Sequence, residues 1–140
     1  MSVIEVIKAE LLALCPDFAA TWNDECDGRA YPDGSHTVHG VFSEFSRYIA
    51  DRLRRGADPV LGEVFDYVES KLKEDTSELE LTENASNIDN AVSTCFLENL
   101  LNRVPEQIDP RHLVPLLGPK SRQYGLAWDE WCGVKTEGLS

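Results

Sequence analysis

Residues 38–72, VHGVFSEFSRYIADRLRRGADPVLGEVFDYVESKL, decide the fold. Val38, Val41, Phe42, Phe45, Ile49 and Leu53 recur at the helical period, and Leu61, Val64, Phe65, Val68 and Leu72 do so again after a short break. The break carries its own punctuation. Arg52, Arg54 and Arg55 crowd the last turn of the first helix, where the backbone dipole is negative, and Gly56 supplies a left-handed cap. Asp58-Pro59 then provides an N-cap side chain followed by a residue whose missing N–H goes unnoticed in a first turn. Two helices joined by so few residues lie antiparallel.

The same devices recur on either side. Ser2 and Glu5 have capping-box spacing, and Ile4, Ile7, Leu11 and Leu14 form one stripe that Pro16 ends. Pro16-Asp17 opens a short second helix carrying Phe18 and Trp22 and fading near Cys26. Two turn signals, Asp27-Gly28 and Pro32-Asp33-Gly34-Ser35, read as an irregular loop before Thr37 caps the next helix. After Glu74 the chain is a loop or frayed turn, then a helix strongest over 91–104 with Val92, Cys95, Phe96, Leu100 and Leu101 inward, ended by Pro105. Asp109-Pro110 starts a short helix ending at Gly118, Pro119 opens a last one through Trp131, and residues 134–140 read as a flexible tail. The strongest contender for a strand, residues 78–82, is short and acidic. The expectation is an all-α single domain over residues 1–133, a bundle of about six or seven helices with short Pro-initiated connections.

Charge carries the functional information. The chain has 25 acidic against 13 basic side chains, a formal charge of −12. From Glu74 to Asn102 there are seven carboxylates and no Lys or Arg, and a second uncompensated stretch runs from Glu10 to Gly28. A one-signed surface steers a basic partner and repels phosphate, so nucleic acid and anionic membrane are disfavoured. With 42% hydrophobic residues and twelve aromatics the chain is composed to fold rather than to remain an acidic disordered tail. The partner-binding surface is assigned to Glu74, Asp75, Glu78, Glu80 and Glu83, with Asp24, Glu25 and Asp27 from the earlier stretch. Leu79 and Leu81, interleaved with Glu78 and Glu80, offer apolar contact among those charges; the bland alternative is a solvated connector.

Chemistry is sparsely signalled. Cys15, Cys26, Cys95 and Cys132 are widely spaced with no Cys-x-x-Cys, so free buried thiols are expected rather than disulfides. Cys26, His36 and His39 with nearby carboxylates have the elements of a metal site, but His36 falls in a loop and His39 in a first helical turn, and no metal or cofactor is expected. No phosphate-binding Gly-rich loop or nucleophile with a local base is present in sequence, and catalysis is not expected. Trp22, Trp128 and Trp131 are assigned to the core rather than to an interface. The amino terminus lacks a basic stretch before its apolar residues, and no apolar run approaches the roughly 20 residues of a membrane span. A cytoplasmic location is expected.

Cys95-Phe96-Leu97-Glu98-Asn99-Leu100-Leu101, then Leu116-Leu117-Gly118-Pro119-Lys120-Ser121-Arg122 and Trp128-Asp129-Glu130-Trp131, resemble a group of small bacterial helical proteins of unknown function, some of them similar to immunity proteins of polymorphic toxin systems. The resemblance covers the last third of the chain and rests on packing and capping residues, so it transfers no functional residue. It implies an antitoxin, a small acidic protein that neutralises a basic toxin domain by direct binding. The alternatives are a helical scaffold or adaptor, and a metal-binding enzyme using Cys26, His36 and His39.

Overall fold

Asp58 shows how the sequence sets the helix boundaries. In the computed structural model, which describes residues 3–20, 38–56, 58–72, 88–104 and 106–139, its carboxylate accepts the N–H of Val60 at 3.0 Å and opens a helix with Pro59 in its first turn. That helix, α3 (Pro59–Lys71), follows α1 (Val3–Leu14) and α2 (Val38–Arg54), and Gly56 between α2 and α3 has φ 104°, the left-handed value its lack of a Cβ permits. Asp109 repeats the device, accepting from the N–H of Arg111 at 2.9 Å. Here a chain helical over 88–91 has run through a π-helical stretch (Val92–Leu97) into α4 (Glu98–Leu101). Then come α5 (Pro110–Leu113), a 3₁₀ turn (Val114–Leu116) and α6 (Pro119–Cys132), closed by left-handed Gly133 at φ 71°. The fold is all-α, with no strand among the described residues.

Every apolar position that the 38–72 pattern assigns inward is buried except half-buried Val38. They meet in one core. Phe18, Phe45, Phe96 and Phe65 form a chain of rings with successive centroids 5.0, 5.7 and 5.7 Å apart, tying α2, α3 and the π-helical stretch to the residues that follow α1. α2 makes its most extensive contacts with the π-helical stretch, so the amphipathic face read from sequence covers a helix distant in the chain.

The π-helical stretch corrects one expectation. Ser93 and Thr94 donate their hydroxyls to the carbonyls of Asp89 and Asn90, at 2.9 and 2.8 Å, occupying acceptors of the α-helical ladder. The N–H of Glu98 reaches back to Ser93, one residue further than an α-helix allows. The inward face rotates accordingly: Leu97 is buried with Val92, Phe96, Leu100 and Leu101, while Cys95, expected inside, is half-buried.

Residues 134–139, read from the sequence as part of a flexible tail, are held against α6. Thr136 donates its N–H and its hydroxyl to the two oxygens of buried Asp129, each at 2.8 Å, and Leu139 is 2% exposed beside Gly125. A buried carboxylate needs donors, and this segment supplies them.

The capping roles of Ser2 and Thr37, the loop over 27–35, Trp22 and the strand contender at 78–82 lie outside the described residues.

Candidate functional site

All eight residues assigned to the acidic surface, Asp24, Glu25, Asp27, Glu74, Asp75, Glu78, Glu80 and Glu83, lie outside the described residues. What the structure fixes is where their segments join the helical body. Residues 21–37 leave after Ala20 and rejoin at Val38; residues 73–87 leave after Leu72 and rejoin at Ile88. His39 and Asn90, just inside the two points of return, share a hydrogen bond of 2.8 Å between Nε2 and Oδ1. Two stretches far apart in sequence therefore enter the body side by side. Together they hold nine carboxylates against Arg29 and Lys73, which is seven of the twelve excess negative charges.

The same contact places one of the three residues considered as metal ligands. His39 faces Asn90, while Cys26 and His36 lie outside the described residues. No group of three or more His, Cys, Asp or Glu side chains is positioned to hold a metal ion among the described residues.

Several carboxylates in the body have structural employment. Glu69 on α3 accepts the N–H of Lys120 at 2.7 Å, the N–H of Ser121 at 3.1 Å and the Ser121 hydroxyl at 3.0 Å, capping α6 from a neighbouring helix. Gly118 makes room for it, since a Cβ there would stand 2.5 Å from Glu69 Oε1. Glu10 accepts the Tyr67 hydroxyl at 2.9 Å and lies 3.7 Å from Lys71, whose ammonium stands over the Tyr67 ring. Glu98 accepts the Tyr124 hydroxyl at 2.7 Å. Burial first, then the adjacent carboxylate, raises the ionisation of both phenols well above the usual tyrosine range.

One buried cluster contains a nucleophile type. Cys15, fully buried at the end of α1, neighbours Tyr48 and Arg52. Arg52 donates to Asp58 through Nε at 2.8 Å and through a second guanidinium nitrogen, and to the Tyr48 hydroxyl at 2.7 Å. Burial pushes the Cys15 thiol up despite the guanidinium, so it stays protonated at neutral pH. Burial alone would raise Asp58 too, but the hydrogen bonds from Arg52 and Val60 outweigh it and hold the carboxyl below its ordinary range. The cluster is a joint between α1, α2 and the start of α3. Of the other cysteines, Cys95 is half-buried and Cys132 exposed, and the three described cysteines are free thiols.

The described surface has an open groove of about 350 Å³ at the carboxy-terminal end of α6, walled by Leu101, Val104, Pro110, Trp128, Cys132 and Val134. Trp128 is half-buried in this wall, whereas Trp131 is 83% exposed, against the expectation that both tryptophans pack inside. Sequence spacing did not separate them, because residues three apart lie on the same face of a helix and were read together.

The model of a family described as Domain of unknown function (DUF7674) matches residues 8–132. The chain belongs to that family. The DUF7674 match runs from α1 to the last residue of α6, taking in both acidic segments and five of the six groove-wall residues named above. No curated protein and no solved structure matches the chain. No helix among the described residues is long and apolar enough to cross a membrane.

Proposed function

We propose that this chain is a non-enzymatic acidic binding protein whose two anionic segments capture a cationic protein, as the immunity protein of an interbacterial toxin captures a basic toxin domain. The observation that carries the reading is the concentration of seven of the twelve excess negative charges in two segments that rejoin the body side by side at His39 and Asn90. Fields from exposed charges decay over about 8 Å at physiological ionic strength, so segments whose points of return are joined by the His39–Asn90 hydrogen bond can reinforce one another. The rest of the chain carries five of the twelve excess negative charges, twelve less seven, which leaves these segments as the main source of an attractive potential.

The reading extends to the biology of the adjacent reading frame, which would encode a secreted protein with a basic carboxy-terminal domain. Expressing that domain alone should arrest growth, and co-expressing this chain should restore it. Replacing Glu74, Asp75, Glu78, Glu80 and Glu83 by their amides should remove the protection without changing helical content. Protection that survives those replacements and those at Asp24, Glu25 and Asp27 refutes the assignment of the surface.

A further inference from the structure

The buried residues of α6 are Ser121, Gly125 and Asp129, spaced four apart along one face, so the innermost line of this helix carries no bulky side chain and is filled from other parts of the chain. Glu69 meets Ser121, Leu139 lies against Gly125, and Thr136 donates twice to Asp129. Residues 134–139 reach this face through two anchors: Thr136 and Leu139 are buried, while Val134, Lys135, Glu137 and Gly138 are exposed. A turn of the segment's own brings the anchors to one side, with the Leu139 N–H donating to the Thr136 carbonyl at 3.1 Å and Gly138 at a left-handed φ of 82°. The end of α6 needs neither anchor. The N–H groups of Gly133 and Val134 bond back to the carbonyls of Glu130 and Asp129, at 3.3 and 3.0 Å, and Gly133, at φ 71°, has open space where a Cβ would stand.

We propose that residues 134–139 are a detachable strap that swings on Gly133 while the bundle stays folded, and that the seat beneath it is a docking site for a peptide turn of the form Thr-x-Gly-Leu, closed in the resting chain by the strap itself. Side chains from α6, α4 and the 3₁₀ turn build the seat. Gly125 opens a notch for leucine, since a Cβ there would stand 2.9 Å from Leu139 Cδ2, and Leu101 borders the notch 3.9 Å from the same point. Val114 lies 3.7 Å from where a Cβ on Gly138 would stand. The strap defines what the seat takes. Asp129, only 6% exposed, is satisfied by a backbone N–H and a hydroxyl from one residue, and the notch is filled by an aliphatic side chain three residues further on. The seat lies within the residues 8–132 that the family model matches and the strap lies beyond them, so site and occupant are separable in sequence. One pair of hydrogen bonds and one side chain are an attachment that opens locally at less cost than the whole fold. The site is separate from the acidic segments and does not depend on their role.

A tethered occupant acts at an effective concentration in the millimolar range when its linker is short, so free peptide competes poorly with it. The experiment uses the full chain carrying Thr136→Ala and Leu139→Ala, which removes both anchors and leaves the seat intact, and a fluorescently labelled peptide of residues 134–140, Val-Lys-Thr-Glu-Gly-Leu-Ser. Fluorescence anisotropy should show this peptide binding the variant at least about tenfold more tightly than wild type. The same peptide with alanine in place of its threonine and leucine should not bind, and adding Gly125→Ala to the variant should abolish binding by filling the notch. In the wild type, native-state hydrogen exchange should show the Thr136 amide opening at least about tenfold more often than those of Phe45 and Ile49 in α2. Equal affinity for the two chains, equal binding of the alanine peptide, binding that survives Gly125→Ala, a Thr136 amide that exchanges only together with α2, or loss of the helical circular dichroism spectrum in the variant, each overturns the proposal.

Discussion

The helical body and the two acidic segments carry the same functional group in different balance with bases. In the body, Glu69, Asp129, Asp58, Glu10 and Glu98 each accept from a named donor, and three of them hold the start or end of a helix in place. In residues 21–37 and 73–87, nine carboxylates face two bases along the sequence. Formal charge alone does not distinguish the two groups. A carboxylate that accepts hydrogen bonds inside the fold contributes to stability, and an excess of acids over bases adds to the negative field.

The largest effect expected from breaking that division is at Asp129. Asp129→Ala leaves two donors of Thr136 without an acceptor and loosens the contact of Leu139, for about 2–4 kcal/mol of stability. Chemical denaturation with a midpoint unmoved from wild type would show that the terminal segment contributes nothing. Glu69→Ala comes next at about 2–3 kcal/mol, because three donors at the head of α6 lose one acceptor. Gly118→Ala should cost nearly as much by displacing the same carboxylate, yet little more in a chain that already carries Glu69→Ala. Additive losses in that double-mutant cycle would break the link between the two residues.

Acid denaturation probes the joint at Asp58. Its folded-state ionisation lies below the unfolded value of about 3.9, so the stability it contributes is present above that pH and drains as pH falls toward the folded value. Asp58→Asn should therefore lower stability by about 1–2 kcal/mol at pH 7 and flatten its decline below pH 4. A variant with the same acid limb as wild type contradicts this. The smallest stability change belongs to the segments: converting Glu74, Asp75, Glu78, Glu80 and Glu83 to amides should move the denaturation midpoint by less than about 0.5 kcal/mol, with relief of self-repulsion favouring a gain. A loss near that of Glu69→Ala would mean that these carboxylates also serve the fold.

How much of this was legible in the sequence depends on how far each interaction reaches. The α2 and α3 helices were readable almost residue by residue, since stripe, stop at Gly56 and cap at Asp58 are all local. The π-helical stretch was not, because inserting one residue into a turn leaves composition and approximate spacing intact while exchanging Cys95 for Leu97 in the core. Glu69 reads as an ordinary surface acid until Gly118 and Ser121 are brought to it by the fold. Leu139, a lone apolar residue among Gly, Thr and Glu, gives no periodic signal at all. Of the acidic segments, sequence supplied the residues and their charge, and the structure added the hydrogen bond between His39 and Asn90 just inside their points of return.

The most direct test of the central claim measures binding between this chain and the basic domain encoded beside it, as wild type and with all eight acids at 24, 25, 27, 74, 75, 78, 80 and 83 turned to amides, across a salt series. The account predicts tight binding by wild type that falls steeply with salt and a neutralised chain that binds weakly with little salt dependence. Equal affinity and equal salt slopes for the two chains would contradict it.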